Sequence, residues 1–210
     1  DAKVINETTG EPCQANEKGM LVLTAPLPPG CLATVWRNDE RFINGYFSLL
    51  DGKQYATSDY AVMDEYGYYY ILGRTDDVIN VAGHRLGTKE IEEAIGHHPE
   101  VAESAVVGIH DELKGELPIA FCILKNHDLV AETENRFRIE QQIVGEVARQ
   151  LGALAKPAAI YFPKALPKTR SGKILRRSIK ALAEGKETGD MSTLDDPTAI
   201  EAVRQAMADY

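Results

Sequence analysis

The stretch GRTDDVINVAGHRLGTKEIEEAIGHH, residues 73–98, is where the chain changes texture. Its first part crowds Arg74, Asp76, Asp77, His84 and Arg85 among Gly73, Gly83 and Gly87. Glycine tolerates positive φ and lets backbone approach a ligand closely, and arginine offers a planar fork for phosphate or ribose oxygens. A charged linker carrying a surface hairpin has a similar composition, but it gives no reason for so many special positions in so short a run. Within the stretch, VINVAG (78–83) predicts a short strand. TKEIEEAIGHH predicts a helix with Thr88 as N-cap and with Ile91, Ala94 and Ile95 on one face.

Upstream, the patterns are those of strands. GMLVLTA (19–25) reads as a strand, and PLPPG (26–30) as a turn, because successive prolines cannot donate to a ladder. ERFINGYF (40–47) has helical spacing. YATSDYAVMDEYGYYYILGR (55–74) supplies two extended runs around Asp64-Glu65-Tyr66-Gly67, a hairpin signal. Residues 1–75 therefore read as β-rich and incomplete, with too few strands for a barrel or sandwich and with open edges.

Downstream, strands and helices interleave. AESAVVGI (102–109), PIAFCILK (118–125) and AAIYF (158–162) read as strands, and NRFRIEQQIVGEVARQL (135–151) as an amphipathic helix. A last helix is expected from Gly172 to Ala183, with Leu175, Ile179 and Leu182 inward and Arg176, Arg177 and Lys180 on the solvent face. The fold class this implies is α+β: a small domain over 76–190 with an antiparallel or mixed sheet flanked by helices, preceded by the β-rich 1–75. Residues 191–210 read as a tail with a short helix, EAVRQAM, after the polar connector GKETGDMSTLDDP.

Composition narrows the function. The 210 residues carry a formal charge of -9, which argues against nucleic-acid binding, since phosphate neutralisation needs a broad basic footprint. Cys13, Cys31 and Cys122 lie far apart without a C-x-x-C pair, so no disulfide framework or zinc ribbon is suggested and a reducing, cytoplasmic setting fits. Histidines lack metal spacing, and no bound metal is expected. The longest apolar runs, such as IAFCIL (119–124), are too short to cross a bilayer, so no membrane partner is expected.

One segment breaks the acidic character. From Lys164 to Lys180 there are seven basic residues (Lys164, Lys168, Arg170, Lys173, Arg176, Arg177, Lys180) and no acidic one. SGK within it is not a P-loop, because the first glycine is missing and Ile174 stands where a magnesium-binding hydroxyl would be. Lys173 is expected in the first turn of the last helix, where the macrodipole disfavours a cation by about 0.3–1 kcal/mol. A residue kept there points to a task other than helix stability.

In order, YATSD, GRTDDVINVAGHRLGTKEIE and LPKTRSGK resemble the C-terminal part of the AMP-forming acyl-CoA synthetases of the adenylate-forming superfamily. The resemblance runs from about Pro29 to the C-terminus and is strongest to the short-chain propionyl- and acetyl-CoA synthetases, with INVAGHRLG, GDMSTLDDP and EAVRQAM favouring the propionyl branch. It implies two half-reactions: a carboxylate attacks ATP, taken as its magnesium complex, giving acyl-AMP and pyrophosphate; coenzyme A then displaces AMP. By that resemblance Lys173 is the cation of the first step, Asp59 and Arg74 hold the ribose, and Arg85 lies near the nucleotide phosphates. Asp76 is the hinge, and Gly83, Ala82 and Arg149 contact coenzyme A. The resemblance also implies that an acyltransferase and a deacylase act on Lys173, and that a large N-terminal domain carrying the acyl pocket is missing from these residues, so that the chain alone is inactive. Ser58 departs from the glycine the family often has before the ribose-binding Asp. Two other readings remain: a binding module whose basic helix docks an acidic partner or RNA, and part of a carrier-loading adenylation enzyme.

Overall fold

The computed structural model describes residues 1–48, 52–189 and 191–210. The chain forms two compact units, Asp1–Asp76 and Asp77–Tyr210.

The first unit is an antiparallel meander, β1 (Ala2–Ile5), β2 (Lys18–Thr24), β3 (Gln54–Met63) and β4 (Tyr69–Arg74), with each strand paired to the next in chain order. Its small core comes from inward positions of three strands: Ile5, Met20, Val22 and Ala56. α1 (Asp39–Tyr46) starts where the Asn38 side chain accepts the Arg41 amide, satisfying one of the free N-terminal donors. Tyr46 of α1 stacks on Tyr55 at 4.8 Å between ring centroids. β4 is an edge of the sheet and leaves Tyr69, Tyr70 and Ile71 exposed.

The second unit is a five-stranded sheet covered on both faces. β5 (Ile79–Val81), β6 (His84–Leu86), β7 (Val101–Asp111), β8 (Gly115–Leu124) and β9 (Ala159–Tyr161) supply the strands. The path is β6-β5-β8-β7, antiparallel throughout, with β9 joining β8 in parallel. The helices are α2 (Thr88–Gly96), α3 (Thr133–Leu151), α4 (Arg176–Ala183) and α5 (Thr198–Ala208). Because strand side chains alternate, β7 and β8 feed two cores. Val106, Ala120 and Cys122 pack with Ile91 and Ile95 of α2 and with Ile139, Ile143 and Val147 of α3. Ala105, Val107, Ile119 and Phe121 pack with Ile179 and Leu182 of α4 and Val203 of α5. The two-sided burial explains why VVGI and IAFCIL read as continuous apolar runs.

HRL (84–86) adds a strand, paired back onto β5 through the turn Ala82-Gly83. Two sequence expectations are corrected. The N-cap of α2 is Gly87, whose amide donates to Glu90 Oε2 at 3.2 Å, and Thr88 is a buried first helical residue. α4 begins at Arg176 rather than Gly172, because residues 168–174 form a short hairpin in which Lys168 pairs with Ile174. The short helix expected within residues 191–210 is α5, and the segment is packed: Leu194 is buried, and Val203 is fully buried in the second core. Among the described residues, no helix is long and apolar enough to cross a membrane.

Candidate functional site

Asp59 and Arg74 face each other in register at the open end of the β3–β4 pair. β3 bulges there: Met20 pairs with Tyr60 and Val22 with Ala56, so Thr57, Ser58 and Asp59 together oppose Leu21. The Thr57 hydroxyl secures the bulge, donating to the Leu21 carbonyl at 2.8 Å and accepting the Asp59 amide at 3.1 Å. The Thr75 hydroxyl donates to the Ser58 carbonyl at 3.3 Å. Arg74 then lies between two carboxylates, with Nη1 3.8 Å from Asp59 Oδ1 and Nε 3.3 Å from Asp76 Oδ1. All three side chains are partly solvent-exposed, so these pairs add little stability; their effect is to orient the carboxylate of Asp59.

Ser58 carries the bulge at φ 62, a left-handed conformation that costs an L-residue roughly 1–2 kcal/mol. This is the physical meaning of its departure from glycine: the turn keeps its shape with a strained residue in it. Ser58→Gly should raise stability by up to about 1 kcal/mol, because the relief exceeds the extra chain entropy glycine loses. Ser58→Val should lower it by at least about 1 kcal/mol, since β-branched residues tolerate this region worst. Urea titration of both variants checks the order.

Ala82 and Gly83 form the two-residue turn between β5 and β6, with φ 50 and 83. Positive φ at both centres is the hairpin geometry that matches strand twist, and it alone accounts for glycine at 83. A Cβ there would meet nothing within 4 Å in this chain. Arg85 lies on β6 opposite Asn80, exposed. Arg149 stands apart, on the last turn of α3, where its guanidinium holds Glu146 at 2.5 Å. Hydrogen bonds from Arg149 and Gln150 hold the Glu146 carboxyl down at about 2.

Lys173 sits in a hydrogen-bonded turn ahead of α4, not in the helix's first turn. The Thr169 amide donates to the Lys173 carbonyl at 2.8 Å, and the Lys173 amide to the Thr169 hydroxyl at 3.1 Å. Gly172, at φ 82, closes the turn, and the lysine is exposed.

The surrounding cations are distributed unevenly. Lys168 pairs with Glu103 at 2.7 Å, Arg176 with Glu92 at 2.7 Å and Lys180 with Glu116 at 2.8 Å. Arg176 is therefore not on a solvent face. It reaches the buried Glu92 of α2 through both Nε and Nη2, and Glu92 Oε1 also accepts the amide of Val106. Burial works against the charged guanidinium, but the hydrogen bonds and charge of Glu92, with that of Asp77, outweigh it and raise its pKa. Among the described residues, no carboxylate pairs with Lys173. Three cations of the run are thus neutralised by glutamates of the same unit, while Lys164, Arg170 and Lys173 have no carboxylate partner among the described residues; of these Lys173 is the one carried on the hydrogen-bonded turn.

Residues 90–173 match the model for the AMP-binding enzyme C-terminal domain. The chain is 53% identical over 207 residues to the propionate–CoA ligases of Salmonella typhimurium and Escherichia coli. That match covers 99% of the chain and 33% of each ligase, so the chain spans about a third of the length of the curated relatives it matches. An acetyl-coenzyme A synthetase of Pyrobaculum aerophilum is 47% identical over 98% of the chain and 30% of its own length. Among solved structures, an anthranilate CoA ligase in complex with anthranoyl-AMP superposes with a TM-score of 0.72 at 31% identity, covering 88% of the chain and 34% of that protein. Acetoacetyl-CoA synthetase from Streptomyces lividans covers the whole chain and 31% of its own, with a TM-score of 0.82 at 22% identity, and so shares the fold. The fold is that of adenylate-forming enzymes.

Proposed function

We propose that the chain is the C-terminal third of an AMP-forming propionate–CoA ligase, which joins propionate to coenzyme A through an acyl-AMP and releases AMP and pyrophosphate. The observation that carries this reading is Lys173, an exposed cation held on a hydrogen-bonded turn without a carboxylate partner among the described residues, whereas Lys168, Arg176 and Lys180 are each paired. An anionic carboxylate attacking an anionic phosphate benefits most from a cation aimed at the charge that develops in the transition state. Lys173 supplies that cation.

The chain's other residues fit the substrates. Asp59 presents a partly exposed carboxylate steadied by Arg74, suited to accept hydrogen bonds from the paired hydroxyls of a ribose. Arg85, exposed on β6, suits an anionic phosphate. The open space around Gly83 and its neighbour Ala82 suits a thiol arm passing close to backbone, and Arg149, exposed at the end of α3, is the candidate for a coenzyme A phosphate. The boundary of the two compact units, directly after Asp76, favours that residue as the hinge between the remnant of a large adenylating domain and the small domain. A lysine acyltransferase acting on Lys173 would remove its charge and with it the first step, and a deacylase would restore both. The setting is cytoplasmic.

Acetate is the second reading, favoured by the acetyl-coenzyme A synthetases at 47% and 45% identity. The test is to purify the full-length protein that contains this chain and measure AMP release with ATP, coenzyme A and either acid. A higher kcat/KM for propionate supports the first reading and a higher one for acetate the second. No AMP with any short-chain acid removes both.

A further inference from the structure

We propose that the strip Thr193–Asp195 is a positioning element for Lys173, with Leu194 as its anchor. The inference rests on the reading of Lys173 as the cation of adenylate formation and adds the part of the chain that holds it in place. The hairpin carrying Lys173 is short: one pair, Lys168 with Ile174, the two hydrogen bonds between Thr169 and Lys173, and two more backbone bonds, from the Gly172 amide to the Thr169 carbonyl and from the Leu175 amide to the Pro167 carbonyl. A two-stranded ribbon of this length is marginal in water.

Its outer edge is covered. Thr169 pairs with Leu194, the Arg170 amide donates to the Thr193 carbonyl at 3.3 Å, and the Asp195 amide donates to the Lys168 carbonyl at 2.9 Å. The hairpin thus becomes a three-stranded patch with Lys173 on the strand farthest from the added strip. Leu194 fixes the strip by being buried, and its amide donates to the Met191 carbonyl at 3.0 Å. One turn later Asp196 accepts the Thr198 amide at 2.8 Å at the start of α5, and α5 is tied into the second core through Val203. The Lys173 turn is therefore held from two directions, by α4 directly behind it and by α5 through the strip. The strip and α5 lie beyond the residues matched by the family model. A cation that stabilises a developing charge must be held closely, since a misplacement of about 1 Å can cost roughly a hundredfold in rate.

The experiment compares full-length wild type with Leu194→Ala and Leu194→Met. In Leu194→Ala, adenylate formation from propionate and ATP should fall about tenfold in kcat, with KM for ATP little changed, while thioester formation from preformed acyl-adenylate stays within about twofold. Leu194→Met, which refills the buried space, should restore the first rate. Independently of any reaction, amide hydrogen exchange at Thr169 and Lys173 should accelerate about tenfold in Leu194→Ala, with Ile179 in α4 unaffected. If both half-reactions fall together with the folded fraction, or if exchange at Thr169 and Lys173 is unchanged, the strip is not a positioning element. If exchange accelerates as expected but wild type forms no adenylate, the failure belongs to the proposed function and not to the brace.

Discussion

In the full-length protein, Lys173→Ala is expected to slow acyl-adenylate formation by about 10²–10³-fold, the range found when one preorganised stabiliser of developing charge is removed. Thioester formation from preformed acyl-adenylate should stay within about twofold. The asymmetry follows from electrostatics: only the first step brings a carboxylate against a phosphate, so only there does a nearby ammonium do more in the transition state than in the ground state. The substitution should leave the fold intact, because the Lys173 side chain is exposed and makes no ion pair among the described residues, while its turn is built from backbone, Thr169 and Gly172. Quench-flow measurement of the two half-reactions decides the matter. Equal loss in both would remove Lys173 from the role.

Three residues further on, Arg176→Ala should act on stability. Removing the guanidinium leaves Glu92, 9% exposed, with a charge that no longer has its two-pronged partner. Breaking a buried pair from one side costs about 3–5 kcal/mol; since the Arg176 side chain is 24% exposed, water can enter and the expected loss is about 2–4 kcal/mol. Part of the reason is local. β7 is an edge strand, and Glu92 Oε1 accepts the Val106 amide at 2.9 Å, so the carboxylate cannot simply turn away without leaving that donor unsatisfied. Replacing both partners, Glu92→Met with Arg176→Met, should therefore recover only part of the loss. Urea unfolding of the two variants measures this, and a change below about 0.5 kcal/mol for Arg176→Ala would return that residue to the solvent face.

The contrast between Lys173 and Arg176 marks what could be read from the residues and what could not. The resemblance in motif order singled out Asp59, Arg74, Asp76, Gly83 and Lys173, because the order of short motifs is legible along the chain without any knowledge of its contacts. Periodicity likewise found most strands and helices, including the inward face Ile91, Ala94 and Ile95 of α2. It failed where the neighbour is distant in the chain. A helical pattern assigns Arg176 and Lys180 to solvent, but Glu92 and Glu116 arrive from α2 and β8 to meet them. Polarity reads residues 185–197 as a connector, yet a short strip within it gains backbone hydrogen bonds from the 168–170 strand.

By itself, then, the sequence determined most strand and helix periods, the α+β class and the basic run around Lys173; the bulge that places Asp59 inside β3, and the position of Lys173 ahead of α4, came from the structure. The periods follow from interactions within a few residues. Only the tertiary structure decided which cations of the 164–180 run are neutralised and where the turn bearing Lys173 is held. Ion pairing and edge-strand pairing depend on groups brought together from up to 84 residues apart, and no local pattern encodes that distance.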